Sequence, residues 1–174
     1  MPELQKITSE YLEHEDRVRL SGEVDAGSTE VLWLTQRLLI LMIEHLSAWL
    51  EEQSGGSGSE SARAEHTTEM LQGFAQQAAS AELVPEQPVQ QRSNSRAWLV
   101  NSVDITRGPE AIVLTFKGAD GEEATLNLEA QHLRQWLGIV YSLWGLAGWP
   151  LAVWPQWMQR SESVDTSGSD IPFH

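Results

Sequence analysis

The chain has 174 residues, enough for one domain or two very small ones. Its 25 Asp and Glu against 11 Lys and Arg give a formal charge of -14, a field that repels phosphate backbones and argues against DNA or RNA as a partner. The absence of cysteine excludes disulfides, thiolate catalysis and Cys-based zinc sites, and it fits a reducing, cytoplasmic compartment.

Met1 to Lys6 carries neither a basic cluster nor an apolar run, so no signal peptide is expected there. Ile7 to Glu13 reads as a strand and His14-Glu15-Asp16 as a turn. Arg17-Val18-Arg19-Leu20 then alternates polar and apolar, as a half-buried strand does. Asp25-Ala26-Gly27-Ser28 marks a second turn and Glu30 to Leu34 a third strand. Thr35 is placed to cap the following helix with its hydroxyl. That helix carries Leu38, Leu39, Leu41, Met42, Leu46, Trp49 and Leu50. Its run Leu38 to Ile43 is apolar all round, so most of its circumference is expected to be covered.

Residues 53–95 read as a flexible linker rich in Gly, Ser and Gln, opening with Gln53-Ser54-Gly55-Gly56-Ser57-Gly58-Ser59 and holding Pro85 and Pro88 late in the run. Within it, Thr67 to Ala79 has the spacing of a short helix with Met70, Leu71 and Phe74 on one side.

The second half repeats the order of the first. Trp98 to Ile105 reads as one strand and Arg107-Gly108-Pro109-Glu110 as a turn. Ile112, Leu114 and Phe116 alternate with Val113, Thr115 and Lys117, and Ala119-Asp120-Gly121-Glu122 gives a hairpin signal. A further strand places Ala124, Leu126 and Leu128 on one face. A helix follows, with Leu133, Trp136, Leu137, Val140, Tyr141 and Trp144 at helical spacing. The Ser/Asp/Gly-rich stretch 161–174 reads as a disordered tail.

The expected fold is therefore α+β: two β-β-β-α units, 1–52 and 96–160, whose antiparallel meanders each feed an apolar helix. At one register Gln36 meets Gln131, Leu38 meets Leu133, Ser47 meets Ser142 and Trp49 meets Trp144. A unit of about 50 residues buries too little to stand alone. The two should pack as one compact domain or as an intertwined dimer.

Gln135 to Gln159 has no charged residue and roughly the length of a membrane span. Gly138, Gly145, Gly148, Pro150 and Pro155 interrupt it, which favours a buried helix with an ordered extension over a spanning helix. The extension is dense in tryptophan: Trp144, Trp149, Trp154 and Trp157, with Pro150 and Pro155 holding the chain extended or turned. It can wrap back over its own sheet and close the core. It can also present these six residues to a partner, since Trp dominates interface energetics.

Catalytic templates are missing. There is no phosphate loop, no dinucleotide-binding glycine pattern and no nucleophile elbow. None of His14, His45, His66, His132 and His174 pairs at metal-ligand spacing, and Glu13 to Arg17 reads as a hydrated turn. No catalytic, cofactor-binding or metal-binding residue is assigned, and no cofactor is expected. The favoured function is a non-catalytic protein-interaction module, such as an accessory, adaptor or assembly subunit, that binds a protein partner or forms a homodimer. Nucleic acid and membrane are not expected partners. One alternative is an acidic inhibitor that mimics nucleic acid on a basic surface. Another is a small-molecule or metal-binding enzyme using Glu44, His45, His132 and Arg134.

Overall fold

The structure, a computed structural model, describes residues 2–24, 27–53, 62–90 and 95–159, with only the backbone of residues 62–66. The Gly/Ser run 54–61 and the tail 161–174 lie outside the described residues.

The fold is α+β, in the expected order. Strands β1 (Lys6–Leu12), β2 (Arg17–Glu23) and β3 (Thr29–Leu34) form a meander that runs into helix α1 (Gln36–Gln53). After helix α2 (Ala62–Ala81) and strand β4 (Arg96–Leu99), a second meander of β5 (Ser102–Arg107), β6 (Ala111–Lys117) and β7 (Glu123–Glu129) runs into helix α3 (Ala130–Ala147). Alternation decides the faces: Ile112, Leu114 and Phe116 on β6 are buried, as are Ala124, Leu126 and Leu128 on β7. The Thr35 hydroxyl accepts the Leu38 N–H at 3.3 Å and starts α1. Of the apolar run Leu38 to Ile43, only Leu41 is exposed.

One expected strand divides. Trp98 to Ile105 is not continuous, because the chain changes sheets at Val100-Asn101. The Val100 N–H donates to Trp33 of the first sheet at 3.0 Å, and the next amide, Asn101, donates to Lys117 of the second at 2.8 Å. The segment before the break pairs parallel to β3, giving one sheet ordered β1-β2-β3-β4; the other is β5-β6-β7. Glu30 on β3 fixes this short parallel pair by accepting from the Trp98 indole at 2.8 Å and from Arg96 at 3.3 Å.

The sheets also join through the first residues. The Leu4 N–H donates to Thr125 on β7 at 2.8 Å, and the Gln5 N–H donates to Glu23 on β2 at 2.9 Å. Gly22 makes room for this crossing: a Cβ there would sit 2.6 Å from Leu4 Cδ2.

Each helix is pinned to the other unit's sheet. Trp49 of α1 donates to the Gly108 carbonyl in the β5–β6 turn at 3.2 Å. Trp136 of α3 donates to the Ser9 hydroxyl on β1 at 3.0 Å. Both units contribute to a single apolar core. Within this one chain they pack on each other, which supplies the burial that neither could achieve alone.

Candidate interaction surface

The extension after α3 takes the core-closing arrangement. Helix α3 ends at Gly148, whose φ of 70° is the left-handed cap that glycine adopts without strain. Pro150 then turns the chain into a 3-10 turn over Leu151–Val153 and a helical turn at 156–159. Trp144, Trp149, Trp154 and Trp157 are all buried, Pro155 is half-buried and Pro150 is exposed. Trp144 meets Trp149 edge-on at 4.8 Å and Trp154 at 5.7 Å, while Tyr141 meets Trp154 at 5.1 Å. Such perpendicular pairs add about 0.5–1.5 kcal/mol beyond burial.

The indole N–H groups tie the extension down. Trp144 donates to the Pro150 carbonyl at 2.8 Å and Trp157 to the Glu51 carboxylate at 3.0 Å. Trp149 donates to Asp16 Oδ1 at 3.1 Å, in the β1–β2 turn, where the Tyr11 hydroxyl also donates at 2.7 Å. That hydrogen bond holds the Tyr11 hydroxyl above its usual pKa. The Glu13 to Arg17 cluster is thus an exposed turn whose Asp16, at φ 51°, anchors two aromatic side chains.

The residues proposed for an enzyme site differ in burial. Glu44, His45 and His132 are exposed on their helices, and Arg134 is buried. Among the described residues, no group of three His, Asp or Glu side chains is arranged to hold a metal ion. No described helix is long and apolar enough to cross a membrane.

The feature least legible in the sequence is α2. It runs seven residues further than the thirteen-residue span 67–79, from Ala62 to Ala81, and lies against α3 and the end of α1. Its orientation inverts the usual rule. Gln72 and Gln76 point inward, at 0% and 1% exposure, whereas Met70, Leu71 and Phe74 point outward, at 48%, 52% and 61%. Thr67, Ala78 and Ala81 are exposed beside them. On a helical wheel these six residues share an arc of about 100°, with no charge among them.

The inner face of α2 is held by polar contacts. Gln72 donates to the Leu50 carbonyl of α1 at 3.3 Å and accepts from Arg134 Nη2 at 2.5 Å. Gln76 donates to the Arg134 carbonyl at 2.8 Å, and Gln135 donates back to the Ala79 carbonyl at 3.0 Å. Just past the helix, Glu82 accepts from Gln131 at 2.6 Å. Gly138 lets the helices approach, since a Cβ there would lie 3.2 Å from Gln76 Nε2.

At the centre lies Arg134, only 5% exposed, with no described carboxylate paired to it and its guanidinium 5.5 Å from the Trp157 ring centroid. Burial pulls its pKa down to about 10. Arg134 Nη1 and Gln76 Oε1 are buried without a hydrogen-bond partner. Among the described residues of α2, the apolar side chain buried on this inner side is the small Ala79, so polar contacts make up most of what the helix turns inward.

No protein-family model matches this chain, and neither a curated protein nor a solved structure matches it. The class is therefore defined by architecture: an α+β protein of two crossed β-β-β-α units, with a third helix laid across them, apolar side outward.

Proposed function

We propose that this protein is a non-catalytic protein-interaction module and that the outer stripe of α2 is its contact surface. One observation carries the reading: the helix buries two glutamines and leaves a methionine, a leucine and a phenylalanine in water. An amphipathic helix free to choose would bury the opposite face. Fully covering three such side chains is worth several kcal/mol, at about 1.5–3 kcal/mol for each one taken from full exposure. Contiguous exposed apolar surface of this kind marks contact sites.

In this reading the tryptophan extension supports the surface from beneath. Trp157 stacks on Arg134, and Arg134 holds Gln72. Leu146 at the end of α3 and Leu151 in the extension also reach solvent.

The test is affinity capture from the source cell lysate, run beside light scattering on the pure protein. A stoichiometric protein captured by the wild type and lost with Phe74→Ser supports the proposal. A compact monomer that retains a small molecule or metal through purification, and captures nothing, overturns it.

A further inference from the structure

Apart from the α2 stripe, we propose that residues 83–89 are a second contact: a polyproline ligand, held taut at both ends, for a partner domain with an aromatic-lined groove. The segment reads Leu83-Val84-Pro85-Glu86-Gln87-Pro88-Val89 and follows α2 directly. Proline fixes its own φ and keeps the residue before it out of the helical region. Val84, Pro85, Gln87 and Pro88 are therefore all held extended, and the chain runs from Leu83 to Gln90 without helix, strand, turn or bend. Those constraints favour the polyproline II conformation, which has three residues per turn.

Both ends are pinned and the middle is open. At one end Glu82 accepts from Gln131 of α3 at 2.6 Å, and the Leu83 N–H donates to the Ser80 carbonyl at 3.2 Å. At the other, the Val89 N–H donates to the Thr8 hydroxyl on β1 at 2.9 Å, and the Gln90 carbonyl accepts from Thr29 on β3 at 3.3 Å. Between these anchors every residue from Glu82 to Pro88 is exposed, Val84 at 72%. About 20 Å of chain is presented in this way. Two prolines and two fixed ends leave little conformational freedom to lose on binding.

The repeat of three sorts the side chains into edges. Val84 and Gln87 share one edge, Pro85 and Pro88 the next, and Leu83, Glu86 and Val89 the third. The third edge ends against the protein, where Val89 is half-buried. The pairs Val84-Pro85 and Gln87-Pro88 are left as the two ridges that shallow aromatic pockets receive. Among the described residues no hydrogen bond reaches the carbonyls of Val84 to Pro88, so they are open to the indole and phenol donors of such a groove. The same prolines disfavour other modes. Pro85 and Pro88 lack the N–H that strand addition uses, and their spacing prevents this segment from docking as a helix.

The experiment presents the immobilised full chain to an array of purified domains of the two common polyproline-binding classes, SH3 and WW. At least one should bind saturably, and a synthetic peptide of residues 83–90 should compete for it. The double substitution Pro85→Ala with Pro88→Ala should weaken binding at least about tenfold, as loss of central anchors does. Its melting curve should shift only slightly, because both side chains are exposed. Phe74→Ser on α2 should change binding less than about twofold, which separates this contact from the stripe.

Failure of every domain to bind the wild type overturns the proposal, as does equal binding by wild type and the double proline variant. Loss of binding with Phe74→Ser, at full retention in the proline variant, assigns the domain to the α2 stripe and overturns it too. A lysate partner lost with Phe74→Ser, while no domain of the array binds, leaves the α2 reading standing and removes this one.

Discussion

Replacing Gln72 by leucine tests whether the polar layer under α2 holds as described. The change keeps the volume and removes two bonds, one accepted from Arg134 Nη2 and one donated to the Leu50 carbonyl. A hydrogen bond to a charged group contributes about 1.5–3 kcal/mol, and breaking one partner of a buried charged contact costs about 3–5 kcal/mol. The added apolar carbon returns about 1 kcal/mol. The expected net loss is therefore about 3 kcal/mol, or roughly 6–12 °C in the melting midpoint for a chain of this size. Urea unfolding followed by tryptophan fluorescence reads it directly, because Trp157 lies on the same guanidinium.

Arg134→Met alone should cost about 1–2 kcal/mol, since removing a buried, incompletely paired charge offsets part of the penalty of taking the Arg134 donor from buried Gln72 Oε1. The double variant Gln72→Leu with Arg134→Met should cost less than the sum of the two, with a coupling of about 2 kcal/mol. Strict additivity, or a Gln72→Leu cost below about 1 kcal/mol, would refute the idea that Gln72 is needed because Arg134 is buried.

Three further outcomes are expected. Asp16→Ala should cost about 2 kcal/mol in chemical unfolding, because it removes the acceptor of Tyr11 and Trp149 and places alanine at φ 51°; Asp16→Asn, which keeps an acceptor and tolerates that φ, should cost about half as much or less. Trp144→Ala should cost about 3–5 kcal/mol by the same assay, as it empties the centre of the edge-on indole cluster. Arg134 also has a pH signature. Its folded pKa lies below the free value, so the cost of its burial is carried in full below about 10 and is relieved as pH rises from there towards the ordinary guanidinium range. The stability of wild type relative to Arg134→Met should therefore rise in that alkaline window, and a flat difference would contradict it.

Much of the fold is local and could be read from the chain. Strand faces follow from the alternation of Ile112, Leu114 and Phe116, and the turns follow from Asp120-Gly121 and Arg107-Gly108-Pro109. The start of α1 follows from Thr35. Each signal lies within a few residues and acts through backbone geometry or period, so no distant neighbour is needed to interpret it.

The tertiary structure decided what depends on distant partners. Trp98 to Ile105 has no glycine or proline to mark a break, yet Val100 and Asn101 bond to different sheets, because Trp33 and Lys117 are brought to either side of that step. The tryptophan extension was legible as apolar and turned by its prolines, but its short helical turns were not, and Asp16 and Glu51 determine that it folds back. The same holds for α2, whose Met70, Leu71 and Phe74 were legible as one helical face. Period shows that residues share a face, and only packing shows which way that face points. Here Arg134 and the carbonyls of Leu50 and Arg134 offered polar contacts, and two glutamines took the inside.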